Sequence, residues 1–236
     1  MTAKRQRVMG RAVTIVSGIY LIGGANLTRS EDAAVYLIDF GTEQVMIDSG
    51  AGRSAKRLEE NIRAAGFDPH GISTLILTHR HIDHIGAAPY FRERFGCRIL
   101  MHDLDADAVE QGDPVQTVAD WYGTSFPPTP VDIRVSGEEE TLSFDGESLH
   151  ILFTPGHTPG SLSLYLDRDG RRILFGQDIH GPFIPRLGAD LQAWRQSMEK
   201  LLSLKADLLC EGHFGIFEPW EAVERFIRQH IDRNNA

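Results

Sequence analysis

Apolar, β-rich segments, alternating with polar positions only at Val13–Ile15 and Ile19–Leu21, predict strands at Val13–Val16, Gly18–Ile22, Ala33–Phe40 and Gln44–Ile47. Phe40-Gly41-Thr42-Glu43 reads as a tight hairpin between the last two, and Asp48-Ser49-Gly50 ends the set. From residue 53 the period changes: Ala55, Leu58, Ile62 and Ala65 recur at helical spacing and Gly66 closes the helix. An apolar run over 72–77 predicts a further strand. A helix over 87–95 ends at Gly96, a strand covers Arg98–Met101, and a helix over Asp103–Gln111 takes Asp103 as its cap. Beyond residue 132 the pattern gives strands at 133–135, 141–144, 147–153, 161–166, 172–176 and 207–210, with helices at 190–203 and 219–232. Trp194, Met198, Leu201 and Leu202 form an apolar stripe on the first of these helices and belong to the core.

The segment 112–132 breaks the pattern. It holds Asp113-Pro114, Trp121-Tyr122-Gly123 and Phe126-Pro127-Pro128-Thr129-Pro130, and it is too long for a plain connector. It reads as a lid or as a packed surface loop. Otherwise both halves of the chain share one plan of strands, helix, strand, helix. That plan points to two sheets packed face to face with helices outside.

No linker or low-complexity stretch divides the 236 residues, so a single domain over 1–236, with its core at about 13–232, is expected. A composition of 42% apolar and 24% charged residues is that of a soluble globular protein. The net charge of −9 argues against a nucleic-acid partner, which would need a basic face. No stretch reaches the roughly 18 apolar residues of a membrane span. Lys4, Arg5 and Arg7 before the apolar Ala12–Ala25 have the outline of a secretory signal. Strand-like alternation within that stretch, and no clean cleavage site, favour folded protein instead. Cys97 and Cys210 lie far apart in apolar stretches and read as two buried thiols. A cytoplasmic location is the resulting expectation, and a homodimer stays open.

Chemistry concentrates in Thr78-His79-Arg80-His81-Ile82-Asp83-His84-Ile85-Gly86, which directly follows the strand over 72–77. In extended chain, His79 and His81 would point the same way, while Asp83 and His84 on the turn into a helix could face a second point. One loop could thus serve two metal ions about 3.5–4 Å apart. Three further candidate ligands follow strands and have glycine close by: His157, Asp178 and His213.

The string His-x-His-x-Asp-His, then a histidine in Pro-Gly-His-Thr-Pro-Gly, then Asp178, then His213, resembles the metallo-β-lactamase superfamily over nearly the whole chain. The resemblance implies an α+β fold, a four-layer αββα sandwich of two mixed β-sheets flanked by helices. It implies one metal ion on His79, His81 and His157, a second on Asp83, His84 and His213, and Asp178 bridging them. Asp48 would support the ligand loop without binding metal. Five imidazoles and two carboxylates suit two zinc ions, and also iron or manganese. The implied chemistry is hydrolysis of a small ester, thioester or lactone by a metal-bridging hydroxide, with Asp83 as the catalytic residue that orients the nucleophile and takes its proton.

Departures from particular branches narrow this. An aspartate at 178, where the commonest zinc β-lactamases carry cysteine, points away from antibiotic hydrolysis. Quorum-quenching lactonases usually place tyrosine three residues after the bridging aspartate, and here that position is Gly181. A short-form glyoxalase II remains compatible. The alternatives are a mononuclear iron enzyme like the persulfide dioxygenases and a non-catalytic metal-binding member of the fold. Arg80, His180, Phe183, Trp121 and Tyr122 are the candidate contacts for a small-molecule substrate. Ser161 reads as a turn residue, and His70, His102, His150 and His230 as incidental.

Overall fold

The computed structural model describes residues 12–234. The basic residues Lys4, Arg5 and Arg7, on which the signal reading turned, lie outside the described residues. Thirteen strands form two mixed sheets. The first holds β1 (Val13–Val16), β2 (Ile19–Gly23), β3 (Val35–Asp39), β4 (Gln44–Ile47), β5 (Ile72–Ile76), β6 (Arg98–His102) and β7 (Ile133–Val135) in sequence order. Its first four strands are antiparallel, whereas β4, β5, β6 and β7 run parallel. The helices α1 (Ala55–Ala64), α2 (Ile82–Ile85), α3 (Ala88–Phe95) and α4 (Asp103–Gln111) lie along these parallel connections. The second sheet is built from β8 (Glu139–Phe144), β9 (Glu147–Phe153), β10 (Leu162–Arg168), β11 (Arg171–Gln177), β12 (Leu208–Glu211) and β13 (Gly215–Phe217), with α5 (Leu191–Ser203) and α6 (Trp220–Arg233). Among its pairs only β11 and β12 are parallel, joined through α5.

Strand alternation accounts for the layers. On β3, Tyr36 and Ile38 join Val45, Ile47, Ile76 and Leu100 against Leu149, Ile151, Leu164, Ile173 and Phe175 of the opposite sheet. Leu37 points the other way, with Met46, Leu75, Ile99 and Met101, onto Leu58 and Ile62 of α1 and Phe91 of α3. The outer face of the second sheet presents Leu152, Leu174 and Leu209 to Trp194, Met198 and Leu201 of α5 and to Val223, Phe226 and Ile227 of α6. Strands covered on both faces read as continuous apolar runs, which is how β3 and β4 appear in the sequence. The result is a helix–sheet–sheet–helix sandwich, as the plan of the sequence implied. Cys97 and Cys210 are buried free thiols.

Three local details differ from the sequence reading. The cap of α4 is His102, whose Nδ1 accepts the Leu104 N–H at 3.2 Å. Asp103 falls inside the helix and pairs with Arg134 at 2.8 Å. His102 therefore has a structural part, and its ring also stacks on Phe153. The short edge strand β13 was not expected, because three residues after a glycine carry no readable alternation. The segment 112–132 forms neither helix nor strand, yet it is anchored. Val118, Ala119 and Phe126 are buried, and Thr117 O accepts the Ile82 N–H at 2.8 Å.

Candidate metal centre

The ligand loop begins where β5 ends. Asp48, at the end of the neighbouring strand β4, takes a left-handed φ of 58° that carries its carboxylate across to that loop. Its oxygens accept from Thr78 N and Thr78 Oγ1, both at 2.8 Å, and from His84 Nδ1 at 2.6 Å. The carboxylate is fully buried, so it fixes both the start of the loop and the ring of His84, leaving His84 Nε2 to face the centre. His79 and His81 lie on the bend that follows β5, and both rings join one donor group. The single turn of α2 then swings Asp83 and His84 to a second point.

The other loops arrive from the second sheet. Gly156, at φ 143°, lies so close to Trp194 that an added Cβ would be 2.3 Å from the Trp194 Cβ. That packing seats the next residue, His157, whose Nδ1 donates to Pro182 O at 2.9 Å and so turns Nε2 toward the centre. Gln177 holds a left-handed φ of 47°, costly for a residue with a Cβ, and this turns Asp178 inward from the end of β11. Glu211, fully buried at the end of β12, accepts the His213 and Phe214 N–H groups at 2.7 and 2.8 Å and so shapes the loop bearing His213.

Two groups of donor atoms result, each with all its atoms within 4.8 Å of one another: His79, His81 and His157; and Asp83, His84, Asp178 and His213. Asp178 reaches both. Its Oδ2 is 3.6 Å from His157 Nε2, and its Oδ1 is 3.2 Å from His84 Nε2 and 3.3 Å from His213 Nε2. Asp83 Oδ2 lies 3.3 Å from His213 Nε2. His157 Nε2 and His81 Nδ1 face each other at 2.9 Å.

Burial and charge pull the imidazoles apart. Burial, reinforced by neighbouring rings, pushes His79 well below the usual histidine range and His81 down to about 3. Burial likewise lowers His157. It also opposes charge on His84 and His213, but carboxylates outweigh it there. Asp178, Asp48 and Asp83 hold His84 well above its ordinary value, and hydrogen bonds to Asp178 and Asp83 lift His213 to about 10. Burial opposes ionisation of Asp178 too, yet the His84 charge and the bond to His213 hold it well below the carboxylate range.

The residues fit a metal centre. His79 Nε2 and His81 Nε2 are buried with no hydrogen-bond partner among the described residues, an arrangement that costs free energy unless a cation takes the lone pairs. The donors are nitrogen and oxygen without sulfur, which suits zinc and equally iron or manganese.

A cleft of about 250 Å³ opens over these residues. Val118, Trp121, Tyr122, Ile184 and Leu187 give it an apolar wall, and His180 and His213 line it as well. Burial, followed by the nearby Asp83 charge, raises the Tyr122 phenol above its ordinary value. Trp121 is half exposed at the mouth, with the Arg186 guanidinium 5.3 Å over its ring. His180 Nδ1 donates to Glu211 Oε1 at 2.6 Å, which fixes the ring's orientation.

Two expected substrate contacts are elsewhere. The Arg80 side chain turns away from the histidines and is buried behind the loop. There its Nη2 donates to Leu187 O at 2.7 Å, and its Nη1 is 3.4 Å from Asp105 Oδ1. Phe183 packs on Trp194 at 4.8 Å between ring centroids, in the layer beneath α5, while its neighbours Pro182 and Ile184 line the cleft. The sequence reading also missed Asp105 and Glu211. Asp105 accepts from Thr158 Oγ1 at 2.6 Å, Gly160 N at 3.1 Å and Arg80 N at 3.2 Å, tying the His79–His81 loop to the His157 loop. Ser161 belongs to the same knot, its Oγ accepting the Thr158 N–H at 3.0 Å.

Comparison with known proteins agrees with this geometry. A family model described as the metallo-beta-lactamase superfamily matches residues 31–213. An acyl-coenzyme A thioesterase of Gallus gallus is 28% identical, covering 92% of this chain and 84% of its own. A probable metallo-hydrolase of Bacillus subtilis is 28% identical over 77% of this chain and 80% of its own. The atrochrysone carboxyl ACP thioesterase of Aspergillus fumigatus is 27% identical over 84% of this chain, which spans only 55% of that protein's length. Among solved structures, a metallo-beta-lactamase of Cronobacter sakazakii superposes with a TM-score of 0.81 over 96% of this chain and 93% of that one. At 21% sequence identity, it shows the shared fold.

Proposed function

Given that the chain belongs to the metallo-beta-lactamase superfamily, we propose that this metal-dependent hydrolase works at a dinuclear centre and cleaves small acyl thioesters, with esters and lactones as the adjoining substrate classes. The observation that carries the reading is the reach of Asp178, whose two oxygens face the two donor groups at once, at 3.6 Å on one side and at 3.2 and 3.3 Å on the other. His79, His81 and His157 would hold one ion and Asp83, His84 and His213 the other, with Asp178 between them; the donors suit zinc, and equally iron or manganese. When bound, the ions supply Lewis acidity and a hydroxide nucleophile at neutral pH.

The chain's own residues do the rest. Asp83, beside His213 and facing the cleft, orients the nucleophile and receives its proton. No serine or cysteine nucleophile is required. The apolar wall of Val118, Trp121, Tyr122, Ile184 and Leu187 excludes water and takes the acyl portion. His180, held by Glu211, offers its second ring nitrogen to a substrate oxygen or sulfur. The thioester preference is supported by two relatives whose names record thioesterase activity.

The test is a panel of thioesters, lactones and phosphodiesters assayed on metal-analysed protein. About two ions per chain and thioester turnover are expected. Replacing Asp83 with Ala should abolish turnover while circular dichroism stays unchanged. One ion per chain, with oxygen uptake on glutathione persulfide and no hydrolysis, would overturn the proposal.

A further inference from the structure

The chain carries a net charge of −9, yet one groove gathers Arg29, Arg53, Lys56 and Arg57 around Thr28 and Ser54. Its volume is about 290 Å³, and Glu60 is the one acid in its lining. Arg29 is paired with Glu31 at 2.8 Å and Arg57 with Glu60 at 3.5 Å. Arg53 and Lys56 have no ion-pair partner among the described residues.

The groove lies at the N-terminus of α1, a helix of ten residues. Ser54 is the cap residue, but its side chain makes no cap hydrogen bond, and its hydroxyl is buried without a partner. Ser54 as a whole is only 3% exposed. The backbone N–H groups of Lys56 and Arg57 also have no acceptor among the described residues. Unsatisfied donors at a helix start carry partial positive charge and favour an anion.

Topology repeats the point. Strand β4, the loop Asp48–Ser54 and α1 lead to the parallel strand β5. Within the loop, Gly50 and Gly52 hold φ values of 67° and 92°. The loop's N–H groups at Ser49 and Ala51 are taken by His84 O and Asp32 Oδ1, so it is the start of α1 that offers free backbone N–H groups to a phosphate. In parallel sheets such sites lie at the carboxyl ends of the strands. The histidine loop leaves β5 at that same end, and the two loops touch: Ser49 N donates to His84 O at 2.6 Å, and Gly86 N to Gly50 O at 2.7 Å.

We propose that this groove is a phosphate-binding subsite that takes a phosphate monoester or diphosphate. The ligand has two sources: the phosphorylated tail of the thioester substrate, which rests on the function proposed above, or a separate small phosphate. Arg53 and Lys56 supply the free charge, and the start of α1 supplies the fixed donors.

The test titrates inorganic phosphate into isotope-labelled, zinc-loaded protein and follows the amide resonances of Lys56 and Arg57. Saturable shifts at both are expected. The Arg53→Gln/Lys56→Gln variant, which alters two exposed side chains away from the metal ligands, should weaken binding by about tenfold or more. Absent shifts at those amides, or equal affinity in the variant, would overturn the proposal. The amide readout needs no turnover, so it stands or falls separately from the hydrolase assignment. A second arm compares KM for thioesters with and without a phosphate-bearing tail. A rise confined to the tailed substrate, with kcat held, assigns the groove to the substrate. Equal KM values alongside lost phosphate binding assign it to a separate phosphate ligand.

Discussion

Replacing Asp105 should disable the centre without touching a donor atom. The side chain is fully buried and accepts from Thr158 Oγ1, Gly160 N and Arg80 N, with the Arg80 guanidinium 3.4 Å away. In Asp105→Ala the guanidinium, only 7% exposed as a residue, keeps Leu187 O but loses its counter-charge. Breaking a buried pair by removing one partner costs about 3–5 kcal/mol. The Gly160 and Arg80 N–H groups lose their acceptor and add a comparable cost, since each unsatisfied buried group costs about 1–3 kcal/mol, whereas Thr158 Oγ1 keeps Ser161 Oγ at 2.8 Å. For a chain of this size the melting temperature should drop by about 10 °C. Asp105→Asn keeps the shape and should cost less, because its oxygen still accepts from Thr158. The functional consequence is specific. Asp105 joins the loop of His79 and His81 to the loop of His157, so the three-histidine group should lose metal while the aspartate-containing group keeps it. Thermal denaturation and metal analysis of both variants give the answer. A melting point within a degree of wild type together with full metal content would refute the reasoning.

Two further outcomes follow from the same geometry. Asp48→Asn removes the carboxylate that holds His84 Nδ1 at 2.6 Å, so metal affinity should fall by about 10–100-fold with the ligands intact; unchanged affinity in a competition titration with a chelator would contradict it. Because His213 is lifted to about 10 and His84 is held well above its ordinary value, both rings carry protons in the metal-free protein near neutrality and must lose them to bind. Zinc binding should therefore release protons and tighten as pH rises, giving calorimetric heats that differ between buffers of unlike ionisation enthalpy; identical heats would exclude this.

The sequence disclosed the centre more fully than its support. His79, His81, Asp83 and His84 are legible because strand and turn geometry act within six residues, and His157, Asp178 and His213 because each follows a strand beside glycine. The two sheets are legible from short β-rich apolar runs bounded by turn residues. Asp105 was not read, because Asp103, Asp105 and Asp107 look like one solvated acidic face. A signal was present all the same: Asp105 shares the buried side of α4 with Ala106 and Val109, where an unpaired acid would be costly. The hold of Glu211 on His180 and the turning-in of Arg80 depend on partners 25 to 107 positions distant, and no local pattern encodes those. The phosphate groove was hidden in a helix read only for its apolar stripe.

The donors do not come from one half of the sandwich. His79, His81, Asp83 and His84 hang from the first sheet, while His157, Asp178 and His213 hang from the second. Metal seated there would act as a rivet through a seam, and prising the sheets apart would tear its coordination. Whatever free energy is gained in capturing the metal is thus added to the resistance of the whole sandwich to opening, and grows with the logarithm of free metal. Starving the protein of metal and heating it are two ways of loosening one joint.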